Sequence, residues 1–416
     1  MFFIYQTILT ILILISPIII IYRIIKNKED KKRFLEKFSF PSRKKNNENL
    51  IWFHGASVGE IMSIIPLIKN YEKDKSIKQI LITSSTLSSS KILEKYKFKK
   101  IIHQFYPIDH VIFTNKFLQY WKPKVAIFIE SEIWPSMYQI INQKNIPIIL
   151  LNARLTKKTF FRWDKISFFS KNIFNKIKVA YPQNNETANF LRKLKVSKIN
   201  QIGNLKFIDN DNRNINKINQ NLKSEFNKKK IWVASSTHNS EEIFCAKAHI
   251  ELKKKIKNLI TIIIPRHIHR SKNIIKDLKK LNLKINLHSS KTKSLKNIDI
   301  YLVDTFGETK KFHNISSTVF LGGSIIKRGG QNPLEAARSG SKVLHGPNVD
   351  NFEDVYRLLK KFNISKKINS SSELASSIIF NKNKKNGQKI KKIGEKILKK
   401  TINQLDNLIK NEFEKT

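Results

Sequence analysis

Ile51-Trp-Phe-His-Gly-Ala-Ser-Val-Gly-Glu60 decides the fold of this chain. Leu50 to Phe53 is an unbroken apolar run that reads as a buried strand, and Ile61 to Tyr71 continues with apolar positions at helical spacing. A turn of small residues joins the two. The turn carries backbone N–H groups, the Ser57 hydroxyl and the Glu60 carboxylate to the carboxyl edge of a sheet, where open α/β sheets bind ligands. Glu60 has two readings at this point. A carboxylate beside apolar residues can have its pKa raised toward neutrality and serve as a general base. A carboxylate in a first helical turn also simply complements the helix dipole.

The same alternation extends outward. Leu50–Phe53, Gln79–Thr83, Ile101–Gln104, Val125–Glu130, Ile146–Leu151, Val179–Tyr181 and Lys198–Gln201 are strand candidates separated by helical patterns. A second series runs Ile231–Ala234, Leu259–Ile264, Asp299–Val303, Ser317–Leu321 and Lys342–His345. Strands alternating with helices imply parallel sheets covered on both faces. The expected organisation is a first domain at 48–207, a polar linker at 208–230, and a second domain at 231–416 with a cleft between the two. The stripe Ile390, Ile393, Ile397, Leu398, Ile402, Leu405 and Ile409 predicts a terminal helix packed on the domains.

Phe2 to Tyr22 carries no charge and is long enough to span a hydrocarbon core, which needs about 20 residues. It lacks the basic n-region and small-residue cleavage site of a signal peptide. Residues 1–25 are therefore expected to be a single-pass transmembrane anchor, with a helix lying in the interface or a hydrophobic plug docked on another domain as the alternatives, and 26–47 a basic linker. Arg23, Lys26, Lys28, Lys31, Lys32 and Arg33 predict a cytoplasmic flank that meets anionic head groups. The net charge is +47, yet only 12 of the 79 basic residues are arginine and no basic-aromatic block occurs. Base and phosphate readout draws on Arg, so an anionic lipid surface or substrate fits better than nucleic acid. A single cysteine, Cys245, excludes an internal disulfide and a Cys-based zinc site.

Further chemistry gathers at predicted strand ends. Gly322-Gly-Ser-Ile-Ile-Lys-Arg-Gly-Gly-Gln-Asn-Pro-Leu-Glu-Ala336 follows a strand, with Asn332 as a cap, Pro333 at the first helical position and Glu335 in the first turn. Gly-rich backbone near Lys327 and Arg328 suits a phosphate, and Glu335 could close a capping box or accept from ribose hydroxyls. Arg266 and Arg270 close another strand and suggest an anion binder; His267 and His269 have no partner nearby in sequence that would make a metal site. Asp304-Thr-Phe-Gly-Glu308 reads as a βα turn. Glu130, Arg154 and Lys206 all sit at or beyond strand ends, and with Glu60 they predict a charged cleft.

The ordered set WFHGASVGE, LITSSTLSS, YPIDH, ESEIWP, NARLT, GNLKF, ASSTHNSEE, PRHIHR, DTFGE and GGSIIKRGGQNPLEAA resembles the bacterial 3-deoxy-D-manno-octulosonic acid (Kdo) transferase family along nearly the whole chain. The resemblance implies a glycosyltransferase-B fold of two Rossmann-like domains, and transfer of Kdo from CMP-Kdo to a lipid A precursor, lipid IVA, at the cytoplasmic side of the inner membrane. It implies Glu60 as proton acceptor and Glu130 and Lys206 as transition-state stabilisers. Pro265, Arg266, Phe306, Gly307, Glu308, Asn332, Pro333, Leu334 and Glu335 match the CMP-binding positions. No metal or cofactor is implied. Two departures stand out: Gln331 replaces the family's usual His, and Ala336 stands where a proline is common. A UDP-sugar-dependent transferase or epimerase of the same fold is the rival enzyme, and a membrane-tethered basic binding protein the non-enzymatic one.

Overall fold

The computed structural model describes residues 1–45, 49–209, 218–290 and 295–414. Two compact units divide the chain: Met1–Asn210 with Gly394–Thr416, and Asp211–Ile393.

The first unit is built on six parallel strands: β1 (Leu50–His54), β2 (Gln79–Ser84), β3 (Ile101–Phe105), β4 (Val125–Ile129), β5 (Ile148–Ala153) and β6 (Ile177–Pro182). Their order is β3-β2-β1-β4-β5-β6, with His54 of β1 level with Thr83 on one side and Phe128 on the other. Strand order reverses between β1 and β4, and the crevice beyond the carboxyl ends of those two strands is where such sheets bind ligands. Every residue of β1, β2, β4 and β5 is buried, as continuous Ile/Leu/Val runs in a parallel sheet require. Trp52 anchors the core against Phe117 and Phe128, and its indole N–H finds the Thr83 hydroxyl at 2.8 Å. Burying each such side chain contributes roughly 1.5–3 kcal/mol.

The second unit has seven parallel strands: β7 (Lys230–Thr237), β8 (Leu259–Pro265), β9 (Ile285–Leu287), β10 (Ile300–Leu302), β11 (Thr318–Leu321), β12 (Lys342–His345) and β13 (Ser365–Lys367). The order is β13-β12-β11-β7-β8-β10-β9, so the reversal lies between β7 and β11. Trp232, Ile263, Phe320 and Leu344 lie at the centre of its core.

Several sequence expectations need correction. Lys198–Gln201 forms no strand, only an isolated bridge from Ile199 to Ala180. The short strands β9 and β13 escaped notice because three-residue runs give no periodicity. The expected linker at 208–230 contains the helix Gln220–Asn227, which buries Leu222 and Phe226; its portion at 210–217 lies outside the described residues. The last helix, Lys384–Glu414, was expected in the second domain, but from Gly394 onward it groups with the first unit. There Ile397 packs so closely on Gly203 that an added Cβ would lie 2.9 Å from it.

Residues 26–45 are not a free linker either; residues 46–48 lie outside the described set. Phe34–Phe38 is a short 3₁₀ turn whose buried Glu36 receives the Arg33 guanidinium at 2.9 and 3.0 Å and the Phe105 N–H at 2.7 Å. Buried Glu29 pairs with Lys37 at 2.5 Å and Arg23 at 3.0 Å. Two of the six flanking cations are thus neutralised within the fold. Lys26, Lys28, Lys31 and Lys32 stay exposed. The apolar N-terminal helix, Phe2–Ile25, has the length and hydropathy of a membrane span.

Candidate active site

In the first unit the turn after β1 holds Glu60 by its own local chemistry. Ser57 caps the helix Val58–Tyr71, accepting from the Glu60 N–H, and its hydroxyl donates to Glu60 Oε1 at 2.7 Å. The Ala56 N–H donates to Glu60 Oε2, also at 2.7 Å. The arrangement is close to a capping box, with the N–H of Ala56, the residue before the cap, in place of the cap's own N–H, so the helix-end reading is geometrically true. The general-base reading survives beside it. Burial pushes the carboxyl up to about 7, and the charge of Glu132 adds to the rise; the Ser57 bond opposes it, Glu130 raises it further and the Ala56 bond opposes it.

Glu130 follows β4 with φ +57°, a left-handed conformation costly for a residue with a Cβ. Backbone bonds on both sides hold it there: Glu130 N–H donates to Leu151 O at 3.0 Å and Glu130 O accepts from Arg154 N–H at 3.2 Å. The bend turns the buried carboxylate onto Lys206, whose Nζ lies 2.7 Å from Glu130 Oε1. Lys206 sits on the 3₁₀ turn Leu205–Phe207, where Asn152 accepts from Leu205 N–H and Asn204 from Lys206 N–H, both at 2.9 Å. Glu60, Glu130 and Lys206 therefore share one edge of one sheet.

Two residues there carried no role in the sequence reading. His54, fully buried at the end of β1, places Nε2 3.2 Å from Glu132 Oε2, and its Nδ1 2.9 Å from the Thr83 hydroxyl. Glu132 also accepts from Trp134 Nε1–H at 2.9 Å. The His inside WFHGASVGE and the second carboxylate of ESEIWP were the available signals.

In the second unit the Gly-rich loop follows β11 at the strand reversal. Its use of backbone N–H groups differs from expectation. The N–H groups of Gly323, Ser324 and Ile325 donate to the fully buried Glu241 carboxylate at 2.7, 3.1 and 3.0 Å, and the His238 N–H joins them at 2.9 Å. An internal anion already fills that nest, so these donors do not meet a phosphate. An added Cβ at Gly322 would come within 2.5 Å of Ser236 O, which explains the glycine. Pro333 rather than Asn332 occupies the cap of the short helix Leu334–Arg338, while Asn332 Oδ1 accepts from Leu334 N–H at 3.0 Å. Glu335 stays part-exposed, 3.8 Å from His313.

Arg270 is consumed by Glu242, at 2.9 and 3.2 Å, leaving Arg266 as the exposed guanidinium at the end of β8. Burial holds the His238 imidazole below its ordinary value; Glu241 opposes this, and His267, Arg328 and Arg266 add to it, marking a basic patch. Phe306 is 88% exposed, Gly307 adopts φ +86° in open space, and Glu308 pairs with Lys311 at 2.8 Å. Among the described residues, no group of three His, Cys, Asp or Glu side chains could hold a metal.

Two doubly wound parallel units, each with its polar cluster at a strand reversal, define a glycosyltransferase-B fold. A glycosyltransferase of Rickettsia africae matches with TM-score 0.55 and 14% identity, over 89% of this chain and all of that one. The UDP-GlcNAc 2-epimerase of Neisseria meningitidis gives TM-score 0.53 and 14% identity, over 85% and 100%. A family model described as 3-deoxy-D-manno-octulosonic-acid transferase matches residues 32–209. The 3-deoxy-D-manno-octulosonic acid transferase of Rickettsia bellii is 33% identical over 92% of this chain and 91% of its own length. That of Haemophilus influenzae is 29% identical over 86% and 85%. The chain belongs to the 3-deoxy-D-manno-octulosonic acid transferase family, and is a glycosyltransferase.

Proposed function

We propose that the enzyme transfers Kdo from CMP-Kdo to a lipid A precursor, lipid IVA, by a single inverting displacement that needs no metal. Glu60 takes the proton of the acceptor hydroxyl as its oxygen bonds to the anomeric carbon, and the bond from that carbon to the CMP phosphate breaks with its electron pair leaving on phosphate. The carrying observation is the Glu60 carboxylate, fixed by two donors at the strand reversal and pushed up to about 7. A base of that strength is matched to a hydroxyl proton near neutral pH. The Glu130–Lys206 pair supplies fixed charge where the sugar becomes positive and its carboxylate must be held.

In this reading the donor lies against the second unit. Arg266 meets the leaving phosphate, Glu335 accepts from ribose, and Phe306 offers an aromatic face to the base. Pro265, Gly307, Glu308, Asn332, Pro333 and Leu334 shape the remainder. The N-terminal helix holds both units at the cytoplasmic face of the inner membrane, where exposed Lys26, Lys28, Lys31 and Lys32 meet anionic head groups.

The test is incubation of the full chain with CMP-Kdo and lipid IVA, reading product mass. Addition of Kdo by the native protein, its loss in Glu60→Gln, and competition by CMP but not UDP are expected. Undiminished transfer by Glu60→Gln removes the base assignment, and inhibition by UDP instead of CMP removes the donor.

A further inference from the structure

The N-terminal helix carries polar groups in its first turns, and three of them are bonded to the first unit. Tyr5 donates its hydroxyl proton to the buried carboxylate of Asp109 at 2.8 Å. Gln6 donates to the Ser136 hydroxyl at 2.6 Å and accepts from the Val111 N–H at 3.1 Å. Thr10 lies 3.3 Å from His110. Asp109 is no incidental surface group: it also accepts the N–H groups of Ser136 and Met137, at 3.0 and 2.8 Å, and so caps the helix Pro135–Gln143. That helix starts three residues beyond Glu132.

The chain leaving the helix returns to the same loop. Lys37 O accepts from the Ile108 N–H at 2.9 Å, and the Ser39 hydroxyl donates to Phe113 O at 2.7 Å. The 24-residue helix is about 36 Å long. A bilayer-spanning helix separates its ends by a hydrocarbon core of about 30 Å. Here Tyr5 in the first turn bonds Asp109, while Arg23 in the last turn is tied through Glu29 to Lys37, whose carbonyl bonds Ile108, the neighbour of Asp109 in sequence. Both flanks therefore lie on one side of any membrane. Along the helix, Tyr5, Leu9, Ile13, Ser16, Ile20 and Ile24 are among the less exposed positions, a helical stripe running its whole length. The opposite stripe, with Phe3 81%, Leu14 76%, Ile18 70% and Ile25 70% exposed, has no protein cover.

We propose that this helix is an in-plane anchor that does not cross the bilayer: it lies along the first unit, and its outward stripe is immersed in the hydrocarbon of the cytoplasmic leaflet. Hydrocarbon is the occupant that this surface fits, because an apolar strip of this length far exceeds what a soluble surface carries singly. Charge complements it, since exposed Lys26, Lys28, Lys31 and Lys32 follow at its end to meet anionic head groups. The strip also continues onto the unit: Phe168, 89% exposed, lies next to Phe169, whose ring is 6.5 Å from that of Tyr5. Lying in plane keeps Tyr5, Gln6 and Thr10 bonded to protein, whereas a spanning helix would carry them into lipid without those partners. The proposal rests on the membrane attachment proposed above.

The test uses the full chain with a short Gly-Ser-Cys extension ahead of Met1, expressed in a Gram-negative host. Cys245 is fully buried and stays silent. A membrane-impermeant maleimide is expected to label inverted membrane vesicles and to give no labelling of intact spheroplasts. Labelling of spheroplasts overturns the in-plane arrangement and leaves membrane attachment standing. Recovery of the protein in the soluble fraction overturns attachment itself, and the proposal with it. In the same membranes a short bis-maleimide should join Gln6→Cys to Ser136→Cys; loss of that cross-link overturns the docked position of the first turns.

Discussion

Lys206 Nζ stands 2.7 Å from Glu130 Oε1, with the side chains 18% and 10% exposed. A left-handed residue on one partner and an asparagine-braced 3₁₀ turn on the other bring the two together. Such a pair is costly to halve, because the group left behind is a nearly buried charge without its counterion.

Lys206→Met and Glu130→Gln are each expected to lower kcat by about 10²–10³-fold, the usual loss on removing one fixed charge from a transition state. Each should also cost about 3 kcal/mol of stability. The double variant should lose less than the sum of the two, as contacting residues do. Initial rates and denaturant midpoints on the four proteins decide it; strict additivity would argue against a functional pair.

Glu60→Gln should reduce transfer by about 10²–10⁴-fold. In the native enzyme kcat/KM should rise with pH through about 7, the value to which burial and Glu132 push the carboxyl, because the base acts deprotonated. Stability runs the other way. The folded pKa lies above the unfolded one, so the contribution of Glu60 is fully present below the usual carboxylate range and is lost as pH rises through about 7. Glu60→Gln should therefore raise Tm relative to native more at pH 8 than at pH 5.

Glu132→Gln removes a negative charge that raises the Glu60 pKa while leaving Ser57 and Ala56 on Glu60 untouched. The acid limb of the rate profile should shift to lower pH. A loss of rate with the limb unmoved would mean that Glu132 only supports the fold.

Glu241→Gln tests the internal anion of the Gly-rich loop. A carboxamide turns an N–H toward a nest of N–H donors, leaving at least one buried donor unmatched at about 1–3 kcal/mol. The expected result is a lower Tm and a raised KM for the donor nucleotide, with kcat changed far less.

Much of this was legible because buried parallel strands are short unbroken apolar runs and βα turns are marked by small residues. β1 and β11 show both, β4 shows the apolar run followed by Glu130-Ser-Glu132, and the residues that follow all three form the polar clusters. Glu60 and Glu130 drew attention because each sits just beyond such a strand, whereas Lys206 follows Lys198–Gln201, which forms no strand, and its proposed role came from the family resemblance. His54 and Glu241 drew none, since one looks like the last residue of a strand and the other like an ordinary acid in a helical first turn. Their meaning lies in partners far away in sequence, Glu132 and the Gly323–Ile325 backbone, and periodicity is blind to that. The reach of the last helix was hidden for the same reason: its apolar stripe says that it packs, not on what. Gly203 and Gly394 were the available hint, as small residues mark places where two backbones close up.

That last helix sets an order of events during synthesis. The second unit is one contiguous stretch, Asp211–Ile393, and emerges from the ribosome whole. The first unit takes Gly394–Thr416, made after the whole of the second, to seat Ile397 against Gly203. The unit that begins translation first thus lacks part of its packing until all of the second unit has been made, and the sheet that carries the proposed base gains this helix only then.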